Sequence, residues 1–428
     1  MNQEQTQRKV DQLVEHLFRH QTGQVVATLT RFFGIEHLDL IEDVVQETLL
    51  KALQQWVFRG VPENPAGWIL QSARNRAYDV LRREKRFRDK KAEIADRLVA
   101  DLAAGDHEHD ILLSGELRDD QLRMIFTCCQ PDLPREARIA LTLKTLCGFS
   151  VAEIARAFLS QEAAIAQRIV RAKRKIREKQ VPFEVPAGAE GAARMDSVLE
   201  VLYLMFNEGY SAHQGENLVR DDLCAEAIRL AAVLTQHEIG NQPKAYALLS
   251  LMLLQASRLP ARQDSDGNLL RLAEQDRSAW DQDLIRTGMT TLAKSASGQH
   301  LSEYHLQAGI AACHAAAASY ETTDWGRILA YYDQLVLLNR SPIVALNRAV
   351  AVSMVEGPEA GLETLHEIEP SPALASYYLL PCCYAEFYSQ LDDVKRARTS
   401  YQAALKLVGT EPEKRFIVNR LERLSDAT

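Results

Sequence analysis

At 428 residues the chain is too long for one compact domain, and two or three domains are predicted. Its 46% hydrophobic and 25% charged content is that of a folded globular protein and excludes a disordered chain. No stretch approaches about 18 consecutive apolar residues and the N-terminal MNQEQTQRKVDQLVEHL has no apolar signal core, so no membrane contact is predicted and the expected location is the cytoplasm.

The net charge of −8 is spread unevenly. Residues 1–180 carry net +3 and the remainder net −11. Within the first part, residues 71–91 are net +6, residues 92–120 net −7 and residues 161–180 net +5. Two cationic segments therefore flank an anionic connector. The seven cysteines include two adjacent pairs, Cys128–Cys129 and Cys382–Cys383, and no CxxC occurs. That is a poor disulfide framework and reads as buried reduced thiols, with a zinc site on Cys128, Cys129 and Cys147 as the minor alternative. No cofactor is expected.

The chain reads as all-α, with apolar residues recurring at three and four. In IEDVVQETLLKALQQWV (41–57), Ile41, Val44, Val45, Thr48, Leu49, Ala52, Leu53 and Trp56 fall on one stripe. Asp43, Gln46, Glu47 and Lys51 lie towards the other side. FRGVPENPAG (58–67) holds two prolines and two glycines, so the helix stops there and a loop follows. A new helix starts near Trp68 and continues into LRREKRFR. The acidic AAGDHEHD around Gly105 reads as a linker, with His107 and His109 as solvated residues rather than metal ligands. A second helical cluster covers 115–180, and VPFEVPAGAEG (181–191) marks a boundary.

The rest is a long helical array. FNEGY (206–210) brings Glu208 close to an amide and a phenol, but a helix C-cap at Gly209 accounts for the same residues without a catalytic base. QDSDGNLLRL (263–272) predicts a hairpin with Asp266–Gly267 at its turn. Ala385, Tyr388, Ala397, Tyr401 and Ala404, followed by Pro412, have the spacing of a helix-turn-helix repeat unit, and DWGRILAYYDQLVLLNRSP (324–342) opens an earlier one. Such units stack because one pair cannot bury its apolar face alone. They resemble tetratricopeptide repeats (TPR), in an irregular register. No P-loop, HExxH or GxSxG motif appears, so an enzyme is not predicted.

Two motifs carry chemistry. SVAEIARAF forms a short helix from a Ser150 cap. After a break at Leu159–Gln161, EAAIAQRIVRAKRKIREK forms a second helix with Ile165, Ile169, Ala172 and Ile176 inwards. This is a helix-turn-helix whose basic second helix suits a DNA major groove. PAGWILQSARNRAYDVLRREKR adds a second basic helix. There Trp68 can stack or buttress, Asn75 can read a base edge, and Arg74, Arg82, Arg83 and Arg86 can hold backbone phosphate.

On these motifs the chain resembles the extracytoplasmic-function (ECF) sigma factors of the sigma-70 family. EDVVQETLLKAL resembles the helix that docks on the clamp of RNA polymerase. FRGVPENPAGWILQSARNRAYDVLRR resembles the segment that melts and reads the −10 element. LTLKTLCGFSVAEIARAFLSQEAAIAQRIVRAKRKIRE resembles region 4, which reads the −35 element, and LYLMFNEGYSAHQGE (202–216) resembles the opening of a long C-terminal extension in one subgroup. The chain departs from the family where Ala166 replaces a frequent basic residue and Ala164–Ile165 a frequent Thr-Val pair.

The resemblance implies sigma region 2 at 10–91, an acidic linker at 92–114, region 4 at 115–180 and a helical, TPR-like extension at 186–428. It implies a transcription initiation factor whose partners are core RNA polymerase, promoter DNA and, for the extension, a protein or small molecule. Asp43, Gln46, Glu47 and Leu50 take polymerase-facing positions. Trp68, Arg74, Asn75, Arg82 and Arg83 take the −10 positions, and Gln167, Arg168, Arg171, Lys173, Arg174 and Lys175 the −35 positions. The acidic extension is expected to regulate the basic first part. The alternative is a helix-turn-helix regulator with a TPR-type sensor domain, which has no use for EDVVQETLLKAL.

Overall fold

A computed structural model describes residues 21–83, 119–210 and 221–426, apart from positions 159, 265–267, 269, 299, 370, 373 and 410. The linker with Gly105, His107 and His109, the basic residues 84–91 with Arg86, and the expected Asp266–Gly267 turn lie outside the described residues. Among the described residues the secondary structure is helical and no strand is formed. The contacts divide the chain into two compact units, Met1–Val201 and Leu202–Thr428.

In the first unit α1 spans 21–33. A short 3₁₀ turn leads into α2 (Leu38–Arg59), and a loop leads into α3 (Pro65–Arg83). The predicted stripe of α2 is its core face: Ile41, Val44, Val45, Thr48, Leu49, Ala52 and Trp56 are buried, and Leu53 is half-buried. Each aliphatic side chain so removed from water contributes roughly 1.5–3 kcal/mol. Gly60 ends α2 at φ 81°, a left-handed conformation natural to glycine, and donates its N–H to the Trp56 carbonyl at 3.0 Å. At the start of α3 the Asn64 side chain accepts from the Gly67 N–H at 2.8 Å. Ile69, Ala73, Ala77 and Leu81 then bury at three- and four-residue spacing.

Helix α4 spans 119–128, followed by α5 (Arg135–Leu146), α6 (Val151–Ala157) and α7 (Glu162–Glu178). The predicted cap of α6 is a full reciprocal box. The Ser150 Oγ accepts from the Glu153 N–H at 3.2 Å, and the Glu153 carboxylate accepts from the Ser150 N–H at 2.8 Å. Ile165, Ile169, Ala172 and Ile176 form the inner face of α7, as their spacing predicts. Cys128, Cys129 and Cys147 are buried thiols, and burial pushes the Cys129 thiol up to about 12.

Helix α8 (Gly188–Tyr210) runs across the division between the units. It corrects the expected cap at Gly209. The helix continues through that residue to Tyr210, where the Phe206 and Tyr210 rings stack at 5.7 Å, four residues apart.

The second unit continues with α9 (Asp221–Gln236), α10 (Pro243–Ala256), α11 (Gln282–Ser295), α12 (Glu303–Ala316), α13 (Trp325–Leu338), α14 (Pro342–Glu356), α15 (Pro358–Ile368), α16 (Leu379–Gln390), α17 (Val394–Leu407) and α18 (Glu411–Asp426). Each of these helices packs on its neighbour in the chain. The small-large positions read from the sequence form a seam in which Ala385, Tyr401 and Ala404 pack with Ile417. At the expected hairpin, Leu270 N–H donates to the Arg262 carbonyl at 2.9 Å and Asp264 N–H to the Asn268 carbonyl at 3.0 Å.

Candidate nucleic-acid and polymerase interfaces

The first unit exposes polar side chains on α2, α3 and α7. On α2, Asp43, Gln46, Glu47 and Leu50 are all exposed and share the face opposite Val44, Val45 and Leu49. Their three- and four-residue spacing makes one contiguous strip. Leu50 is 60% exposed, an apolar contact within a polar rim. Glu47 is not free, since its carboxylate accepts from the Arg76 guanidinium of α3.

On α3, Trp68, Asn75 and Arg82 recur every seventh residue and so lie along one stripe. Asn75 and Arg82 are exposed. Trp68 is half-buried, with its ring edge-on to Trp56 at 5.5 Å, which fixes its plane beside the loop that precedes α3. Arg74 sits off the stripe. Burial holds its guanidinium below the ordinary arginine range, and its Nη1 is buried without a hydrogen-bond partner. Arg83 closes the helix, and its side chain lies outside the described residues.

Helix α7 divides its basic residues between three directions. Gln167, Arg171 and Arg174 are exposed on the outer face. Arg168, Arg171, Arg174, Lys175 and Lys179 line an open groove of about 550 Å³ against Leu133, Pro134 and the start of α5. Here Lys175 donates to the Asp132 carbonyl and Lys179 to the Asp132 carboxylate, and the Lys179 bond holds that carboxyl below its usual range. A helix N-terminus beside a row of cations is favourable ground for a phosphate group. Lys173 points the other way, towards α2, where its side chain is only 9% exposed. The sequence reading passed over Val170, which is 63% exposed on the outer face of α7. An apolar residue there breaks the amphipathic pattern, and that break was its signal.

Residues 17–87 match Sigma-70 region 2, and residues 123–176 match Sigma-70, region 4. Residues 194–296 match DUF6596, a family of unknown function. A protein of Rhizobium meliloti (strain 1021), described as uncharacterized, is 39% identical over 403 residues, covering 94% of this chain and 93% of its own length. No solved structure matches. Among the described residues no helix is long and apolar enough to cross a membrane, and no group of three or more His, Cys, Asp or Glu side chains is placed to hold a metal ion. With both sigma regions in order and a C-terminal extension behind them, the chain belongs to the sigma-70 family as an ECF-like sigma factor.

Proposed function

We propose that the chain binds core RNA polymerase through the outer face of α2 and directs it to promoters by reading a −10 element with α3 and a −35 element with α7. The observation that carries this reading is the exposed strip Asp43, Gln46, Glu47 and Leu50, set on a helix whose other face is fully committed to the core. A DNA-binding regulator working without polymerase leaves that strip unused. On α3, Asn75 offers an amide to a base edge, with Trp68 behind it and Arg82 positioned for phosphate. On α7, Arg171 and Gln167 present base-reading groups, Val170 offers an apolar contact for a thymine methyl, and the basic groove takes the DNA backbone. The helical array from α9 onwards modulates this activity, or binds a protein or small molecule that does, through stacked TPR-like pairs. The reading assigns binding and positioning roles alone to the chain.

The test is interferometry with core polymerase. Reversing charge at Asp43 and Glu47 should weaken core binding by at least about tenfold, equivalent to 1.4 kcal/mol, while helical content is retained. Undiminished affinity in that variant would remove α2 as the docking element.

A further inference from the structure

Two arginines of the second unit converge on one indole, in the segment between α10 and α11. This segment holds two 3₁₀ turns, Leu259–Ala261 and Arg277–Ala279. Arg258, just before the first, and Arg277, in the second, set their guanidinium carbons 5.4 and 5.0 Å from the centre of the Trp280 ring. Arg277 also donates to the His314 carbonyl at 2.6 Å, the Ala317 carbonyl at 2.7 Å and the Thr323 hydroxyl at 3.0 Å. These bonds tie it to the C-terminal end of α12, where orphan carbonyls favour a cation. The His314 ring in turn stands edge-on to Trp325 at 5.3 Å.

The two like charges meet neutral partners. Arg258 donates to the Gln255 amide oxygen at 3.3 Å, and among the described residues neither guanidinium pairs with a carboxylate. Glu321, whose charge reaches Arg277, is exposed and hydrogen-bonds Ser319. Burial holds both guanidiniums below the ordinary arginine range, and the charge of Arg258 adds to that effect at Arg277. Around them the buried Arg258 Nε, Trp280 Nε1, His314 Nδ1 and Trp325 Nε1 have no hydrogen-bond partner. Trp280 is only 3% exposed and His314 9%. Arginine and indole nitrogens can only donate, and His314 donates when its proton sits on Nδ1. Water meets the hydrogen bonds of such donors but leaves the two charges unneutralised. A set of groups that only donates and carries only positive charge matches one ligand chemistry, an oxyanion.

We propose that Arg258, Arg277, Trp280 and His314 form a binding site for a small oxyanion, the carboxylate or phosphate group of a metabolite-sized molecule. Arg258 supplies the charge and N–H groups not yet engaged, and Trp280 and His314 supply single buried donors. Arg277, held by its three oxygen partners, keeps the second charge in place. The Trp325 and Tyr320 rings, 5.4 Å apart, give the body of the ligand an aromatic wall. The site names the ligand chemistry through which the helical array acts, and only that modulating role rests on the function proposed above.

Isothermal titration calorimetry on the full-length chain tests the site without polymerase or DNA. The buffer is free of phosphate, sulfate and carboxylates, and the probes are inorganic phosphate, phenyl phosphate and benzoate. At least one probe should bind at one site per chain with a Kd below about 1 mM, and the order of the three separates a phosphate ligand from a carboxylate. Arg258→Met, which keeps an aliphatic stem and loses the charge, should weaken that binding at least about tenfold. Trp280→Phe, which keeps a ring and loses the N–H, should weaken it at least about threefold, and it decides the matter if Arg258→Met does not fold. Arg171→Ala, on the basic face of α7, should leave the binding unchanged. A Kd above about 1 mM for all three probes would overturn the proposal. So would full binding in Arg258→Met or Trp280→Phe, or binding abolished by Arg171→Ala, which would place the anion on the DNA-facing helix. Binding as expected, with in vitro transcription unmoved by the probe, would uphold the site and remove the modulating role of the array.

Discussion

Lys173 of α7 and Glu42 of α2, 131 residues apart in the chain, form an ion pair of 2.9 Å with side chains only 9% and 11% exposed. Burial disfavours the Lys173 ammonium, but Glu42 and Asp39 outweigh it and hold the lysine above its usual range. A pair of this kind is weakly stabilising as a whole and expensive to break from one side.

Removing Glu42 alone should therefore cost the first unit about 3 kcal/mol, since Glu42→Ala leaves a buried ammonium with only the exposed Asp39. The double replacement Glu42→Leu with Lys173→Met should recover most of that loss. Urea unfolding of the four proteins in a double-mutant cycle checks it. Equal and additive losses in the two single variants would show that the pair is not coupled.

Promoter reading separates by element. Arg171→Ala should weaken −35 duplex binding by about 1–3 kcal/mol and relax base preference, as the loss of a bidentate base contact does. Both arginines line the groove at α5, but Arg171 is exposed on the outer face while Arg168 is half-buried, so the Arg168→Ala loss should be shared across DNA sequences. Asn75→Ala should leave −35 binding intact and impair strand opening, as seen by permanganate footprinting. Normal opening in that variant would move the −10 reading residue elsewhere.

Much of this layout was legible in the sequence. The buried stripe of α2, the Ser150 capping box and the inner face of α7 each depend on residues three or four apart, and local periodicity carries that information. The Glu42–Lys173 pair does not depend on spacing. In the sequence Lys173 is one cation among seven in residues 161–180, and only the packing of α7 on α2 singles it out. The Gly209 cap failed for a related reason. A glycine near a helix end reads as a stop, but the ring contact between Phe206 and Tyr210 carries the helix through it.

The second unit should lose stability in mild acid through His314 of α12. Burial, followed by the charges of Arg258 and Arg277, lowers its imidazole from 6.5 to about 3, and its Nδ1 is buried without a hydrogen-bond partner. The unfolded chain binds this proton below pH 6.5, while the folded unit refuses it until pH falls to about 3. The stability it contributes is complete above pH 6.5 and is lost as pH falls through that window. Between pH 7 and pH 5 the loss from this residue is about 2 kcal/mol. Thermal unfolding of wild type and His314→Gln at both pH values checks it, with a smaller acid loss expected in the variant.

The end of the first unit lies beyond the Pro-rich boundary. Arg138 pairs with Glu200 at 3.0 Å and donates to the Ser197 hydroxyl, and Arg135 pairs with Glu200 at 3.2 Å. A fragment ending at Pro186 loses these contacts, whereas one ending at Val201 keeps them. The longer fragment should be more stable by about 1 kcal/mol, the scale of partly exposed ion pairs. If residues beyond it regulate the first unit, the 1–201 fragment should transcribe with clearly altered activity. Identical activity across a range of salt would reduce the extension to a tethered module.

The central claim is initiation itself, and in vitro transcription tests it most directly. Core RNA polymerase, the full-length chain and a library of promoter fragments are incubated with nucleotides, and the transcripts are mapped at their 5′ ends. The account predicts transcripts that depend on the added chain, start at a shared position downstream of common −10 and −35 sequences, and fall sharply with charge reversal at Asp43 and Glu47. Tight DNA binding with no transcripts above those of core polymerase alone would contradict it.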